Sequence, residues 1–114
     1  MLPSRKVLSV PALLLLLSIP QLPAAQAADA AAAQALARKS DCFKCHAVDK
    51  KKDGPAYREV ASKYRGKADA ERTLHTHLTT NPLVEIDGEK EEHTTLKTRD
   101  DAEIRNVIQW ILGL

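Results

Sequence analysis

The pentapeptide Cys42-Phe43-Lys44-Cys45-His46 contains both cysteines of the chain. Two cysteines at this spacing suit three kinds of chemistry: a disulfide, half of a zinc site, or covalent attachment of a c-type haem. The histidine that follows separates them. A plain disulfide does not require it. A structural zinc site needs a second close pair of ligands, and His75, His77 and His93 do not supply one. A thioredoxin-like motif sits in a βαβ setting, and none is visible. Haem attachment uses all three residues. The two sulfurs bond to the two vinyl carbons of the porphyrin, and a two-residue spacer matches their separation. His46 then lies under the ring, where its imidazole can bind iron, so the reading is one covalent haem c on Cys42 and Cys45 with His46 as metal ligand.

The start of the chain points to the same chemistry. Arg5 and Lys6 precede an apolar run from Val7 to Ile19, and Ala25 and Ala27 occupy the small-residue positions of an A-x-A cleavage site. This is the layout of a secretory signal peptide. The run is shorter than the roughly 20 residues that span a bilayer and is interrupted by Pro11. Residues 1–27 are expected to be cleaved, leaving 28–114 as one domain in the periplasm with no stable membrane span. Haem c attachment takes place outside the cytoplasm, where such a leader sends the chain.

Cleavage also changes the charge. Of 17 Lys and Arg, two leave with the leader, and 15 remain against 15 Asp and Glu. A near-neutral domain carries no nucleic-acid signal. Its aromatic residues are Phe43, Tyr57, Tyr64 and Trp110, and its first helical stretch is mostly alanine. A domain this small and this poor in large apolar side chains needs a staple, and a flat, largely apolar haem would supply core.

Four helices are expected. Asp29 caps an alanine-rich helix that runs to about Lys39 and delivers Cys42 just past its end. A loop over 49–55 closes on the breaker Gly54-Pro55. A short second helix presents Tyr57, Val60, Ala61 and Tyr64 on one face. A third carries Leu74 and Leu78 one turn apart and stops at Asn81-Pro82. Residues 83–97 show no helical period; Asp87-Gly88 signals a turn, and the stretch is too short to argue for a sheet. The last helix has Thr98 as its expected cap, Asp100 and Asp101 at its positive end, and a stripe of Ile104, Val107, Ile108 and Ile111. The fold class is all-α.

Two stretches carry a family likeness: "CFKCHAVDKKKDGPAYREVASKY" and "DAEIRNVIQWIL". They resemble the haem motif with its following loop and helix, and the closing helix, of a class I cytochrome c of the short bacterial type. The resemblance covers nearly all of the chain beyond the leader. It implies about four helices wrapped round one haem, with the first and last helices crossing beside it. It also implies that the Pro55 carbonyl accepts from Nδ1–H of His46, and that His77 lies near a haem propionate.

The chain departs from that family at the second axial ligand, which is usually a methionine. The single Met is Met1, inside the leader. His93 stands 17 residues before Trp110, close to where the methionine would fall. A neutral imidazole is a good ligand for haem iron, and His46/His93 coordination is the leading expectation. The alternatives are an open or water-bound site, or His75 or His77 as ligand. A lone loop histidine is usually solvated, and this loop has few apolar residues to anchor it.

Two function classes follow. An electron carrier has both axial positions filled and exchanges electrons through the haem edge. A ligand-binding or sensing haem protein leaves the distal side open or displaceable to CO or NO. No nucleophile, paired carboxylates or phosphate loop argues for an enzyme. The expectation is a monomeric carrier, with Lys50, Lys51 and Lys52 steering an acidic redox partner protein towards the haem edge.

Overall fold

The computed structural model describes residues 1–3, 20 and 27–114. Nearly all of the expected leader therefore lies outside the described residues. None of the described helices is long and apolar enough to cross a membrane.

Helix α1 spans Ala30–Lys39. The Asp29 carboxylate accepts from the Ala32 N–H at 3.0 Å, and Arg38 and Lys39 sit at the negative end of the helix dipole. A 3₁₀ turn over Cys42–Lys44 follows immediately. Helix α2 spans Tyr57–Tyr64, and the Glu59 carboxylate accepts from the Ala56 N–H at its start. Helix α3 spans Ala70–Thr79, and α4 spans Asp101–Leu112.

The helical expectation holds, with one addition and one correction. The addition is a two-stranded antiparallel hairpin, β1 (Leu83–Ile86) with β2 (Glu89–Glu92). Asp87 and Gly88 at its tip have φ of +52° and +84°. Positive φ at both loop positions is the requirement of the two-residue type I′ turn, which Asp-Gly meets well. Val84 and Ile86 are half-buried, while every residue of β2 is exposed. The correction is at the start of α4. Asp100, not Thr98, is the cap, accepting from the Ala102 N–H at 2.8 Å. The Thr98 hydroxyl accepts from the Asp100 N–H and donates to Glu103 instead.

Helix α4 organises the rest. It packs against α1, α2 and α3. Its stripe of Ile104, Val107, Ile108 and Ile111 is buried and continues through Trp110 to Tyr57, Leu74, Leu78 and Leu96. Ala33 and Ala37 of α1 are almost fully buried; side chains this short let two helices approach closely. Asn106 of α4 also grips the start of α1. Its amide oxygen accepts from the Asp29 N–H at 2.8 Å, and its amide nitrogen donates to the Asp29 carbonyl at 2.9 Å.

Candidate functional site

The cysteine segment is shaped by its own backbone. Asp41 adopts a left-handed conformation, φ +62°, which ends α1 and starts the 3₁₀ turn. The Asp41 carboxylate pairs with Lys97 and Lys44, which hold it below the usual carboxylate range. The N–H groups of Cys45 and His46 both reach back to the Cys42 carbonyl. Cys42 and Cys45 are both half-buried. Burial raises the Cys42 thiol pKa, against an opposing bond from the Tyr57 hydroxyl.

His46 is fixed from three directions. Its Nδ1 donates to the Pro55 carbonyl at 2.7 Å, which leaves Nε2 as the nitrogen with a lone pair to offer. Tyr57 stacks on the ring, 4.9 Å between centroids and 17° between planes. Gly54 lies against the third side. A methyl group at residue 54 would stand 2.5 Å from His46 Cε1, so no larger residue fits there without moving the ring. The Gly54 N–H donates to the Cys45 carbonyl at 2.8 Å, folding the 49–55 loop back on the motif.

His93 comes to the same place from the other side of the chain. Its ring centroid is 6.0 Å from that of His46, at 57°. Burial is the main reason its pKa is pushed down to about 4; the neighbouring His77 and His46 add to the effect. Its Nδ1 is buried with no hydrogen-bond partner among the described residues. The segment around it is not weakly held, as its few apolar residues suggested. The His93 N–H donates to the Pro82 carbonyl at 2.8 Å, Asn81 Nδ2 donates to the His93 carbonyl at 3.0 Å, and buried Leu96 and its neighbour Lys97 bond back to α3 and to Ser40. Backbone bonds replace the missing apolar anchors.

The other histidines divide. His77 joins the site, its ring 4.2 Å from that of His93, and burial lowers its pKa. His75 is turned away and pairs with Asp101 at 2.9 Å. Lys50 and Lys51 are exposed, while the Lys52 ammonium donates to the Phe43 carbonyl at 2.7 Å. With Arg38 and Phe43, Lys50 and Lys52 border an open groove of about 610 Å³ beside His46.

These residues fit a haem. Two imidazoles that hold one metal ion from opposite sides, at about 2 Å per bond, have ring centres about 6 Å apart. His46 and His93 have that spacing; His77 and His93, in van der Waals contact, do not. Two half-buried cysteines, one oriented imidazole and one orphaned ring nitrogen are the groups that would hold it. Four contributors were not marked as part of the site in the sequence: Gly54 as a spacer, Tyr57 as a stacking partner, Ser40 as a backbone anchor and Asn81 as a clamp. Gly54-Pro55 did stand out as a breaker. Tyr57 stood out on a helix face and Asn81-Pro82 as a helix stop, but their site roles, like that of Ser40, depend on residues distant in the chain.

Residues 30–114 match the family described as cytochrome c. Cytochrome c-551 of Allochromatium vinosum is 35% identical over 82 residues, which cover 69% of this chain and 82% of that one. Cytochrome c2 of Rubrivivax gelatinosus is 38% identical over 78 residues, covering 68% and 91%. Among solved structures, the class 1 cytochrome MtoD from Sideroxydans lithotrophicus ES-1 superposes with a TM-score of 0.73 at 49% identity, over 76% of this chain and 97% of that one.

Proposed function

This chain belongs to the cytochrome c family, and we propose that it is a periplasmic one-electron carrier whose haem iron is held between His46 and His93. Proteins of this family are electron carriers with one covalent haem c, and Cys42 and Cys45 fit its CxxCH motif. When bound, haem iron supplies a one-electron ferric–ferrous couple.

The observation that carries the ligand assignment is the 6.0 Å separation of the two imidazoles. The orphaned, half-buried ring of His93 supports it, because ligation satisfies a ring nitrogen that burial otherwise leaves unpaired. His46 is the proximal ligand in this reading. The Pro55 carbonyl fixes its tautomer and raises its basicity. Tyr57, Phe43 and Trp110 form an edge-to-face cluster that keeps water from this side of the site. His77 is a neighbour of the distal ligand, available to hydrogen-bond an anionic haem substituent. Lys50 and Lys51, exposed near the motif, would draw an acidic redox partner to this edge. Cleavage after Ala27 would leave 28–114 as the mature monomer, and no part of the reading calls for nucleic acid.

Absorption spectra of the purified oxidised and reduced protein test the assignment. The parent should be low-spin, with no sulfur-to-iron charge-transfer band, and its potential should lie below that of methionine-ligated relatives. His93→Ala should be high-spin when ferric and bind CO when reduced, while His77→Ala and His75→Ala keep the parent spectrum. A low-spin His93→Ala protein would overturn the assignment. A parent that is high-spin and takes up CO readily would turn the function towards ligand binding.

A further inference from the structure

We propose that Asn81 is a positioning residue for His93, its side chain supplying the hydrogen-bond donor that Pro82 lacks; the proposal rests on the reading of His93 as an iron ligand.

The argument begins with the hairpin register. Leu83 faces Glu92, Val84 faces Glu91 and Ile86 faces Glu89. Continued by one step, the same register sets Pro82 opposite His93. The His93 N–H donates to the Pro82 carbonyl at 2.8 Å, so the ladder does continue. His93 is therefore the next residue of the β2 ladder, and the hairpin carries the ligand to the site.

In an antiparallel ladder, a hydrogen-bonded pair exchanges two bonds, one in each direction. Here the return bond cannot form, because proline has no N–H. The His93 carbonyl would be left without its donor. Asn81 Nδ2 lies 3.0 Å from that oxygen. A carbonyl only accepts, so the amide nitrogen is the end that must face it. The side chain of one residue thus replaces the backbone donor of the next.

Asparagine suits the position twice over. Asn81 has φ +50°, a left-handed conformation that asparagine tolerates better than most residues. That turn of the backbone ends α3 and points the chain into β1. The same short amide then reaches across to the returning strand. On the far side of His93, Leu96 N–H donates to the Leu78 carbonyl at 3.0 Å and Lys97 N–H donates to buried Ser40 Oγ at 2.8 Å. His93 is held from both ends, and Asn81 is the one side-chain bond on the upstream end. Losing it should leave His93 in place but less firmly held.

The rate of CO uptake reads this directly. A reduced protein whose iron is held from both sides binds CO only after the distal side chain lets go. At saturating CO the uptake rate of the holoprotein is then the release rate of His93. In Asn81→Gly, which keeps the left-handed backbone and removes the amide, release should be roughly three- to tenfold faster. In Asn81→Gly/Pro82→Ala, residue 82 regains an N–H facing the His93 carbonyl, and the rate should return to within about twofold of the parent. Asn81→Asp keeps size and backbone preference but offers only acceptors, so it should behave as Asn81→Gly; it serves if the glycine variant does not fold. An unchanged rate in the single variants, or acceleration that Pro82→Ala does not rescue, overturns the proposal while leaving the ligand assignment standing. If His93→Ala takes up CO at the parent's rate, the ligand assignment itself has failed and the positioning role goes with it.

Discussion

Gly54 decides how closely the chain can approach the ring of His46. An added Cβ would lie 2.5 Å from Cε1 and 2.8 Å from Nδ1. Gly54→Ala should therefore shift the ring off the Pro55 carbonyl, cost about 1–3 kcal/mol in denaturant unfolding, and perturb the low-spin spectrum. Pro55→Ala keeps the accepting carbonyl and should be milder. His93 contributes to the acid limit, as does His77, whose pKa burial also lowers. The folded pKa of His93, about 4, lies below the ordinary value of 6.5, because burial favours the neutral ring. The unfolded chain takes up that proton first as pH falls, so the stability His93 contributes is complete above pH 6.5 and is lost on the way down to about pH 4. Denaturant midpoints measured from pH 7 to pH 4.5 should fall, and His93→Gln should flatten part of that slope. The CxxCH motif of Cys42, Cys45 and His46 was legible in the sequence because it lies within five residues. Asn81 was not, because its role exists only once Pro82 is paired with a residue 11 positions later.

At the scale of elements, α2, α3 and α4 were legible because each carries an apolar face at helical period, and α1 because it is rich in alanine and begins at a good cap. The hairpin was not. Val84 and Ile86 alternate as a strand should, and Asp87-Gly88 is a strong turn signal, but the partner strand is Glu89-Lys90-Glu91-Glu92, with no apolar residue and weak strand preference. Register, turn geometry and the bonds to Pro82 and Asn81 make it a strand, and none of these shows in a short window of sequence. The α1–α4 crossing gives the sharpest test at this level. Ala33 of α1 is almost fully buried in the cluster built by α4. Ala33→Leu should force α1 and α4 apart and cost about 1–3 kcal/mol, whereas Ala35→Leu on the exposed face of α1 should be near neutral. Thermal unfolding of the two holoproteins separates the outcomes.

For the whole molecule, the helical wrap was legible through family resemblance more than through physics, since periodicity alone does not say which helices meet. The core of the described residues is a single cluster centred on α4, with Tyr57 and Trp110 its largest members. So small a core predicts dependence on the haem. A Cys42→Ala/Cys45→Ala protein should lose cooperative unfolding and much of its helical circular dichroism, and haem staining of a denaturing gel should report the missing covalent link. The grip of Asn106 on Asp29 has a consequence in time. The two residues are 77 positions apart, and the contact closes one end of the described fold against the other. Until α4 has docked, α1 has neither its packing partner nor this clasp. The folding chain is therefore expected to pass through a stage in which the Cys42–His46 segment is not yet enclosed. Contacts between distant segments form late because loop closure must come first. Both cysteines are therefore expected to stay accessible until α4 docks.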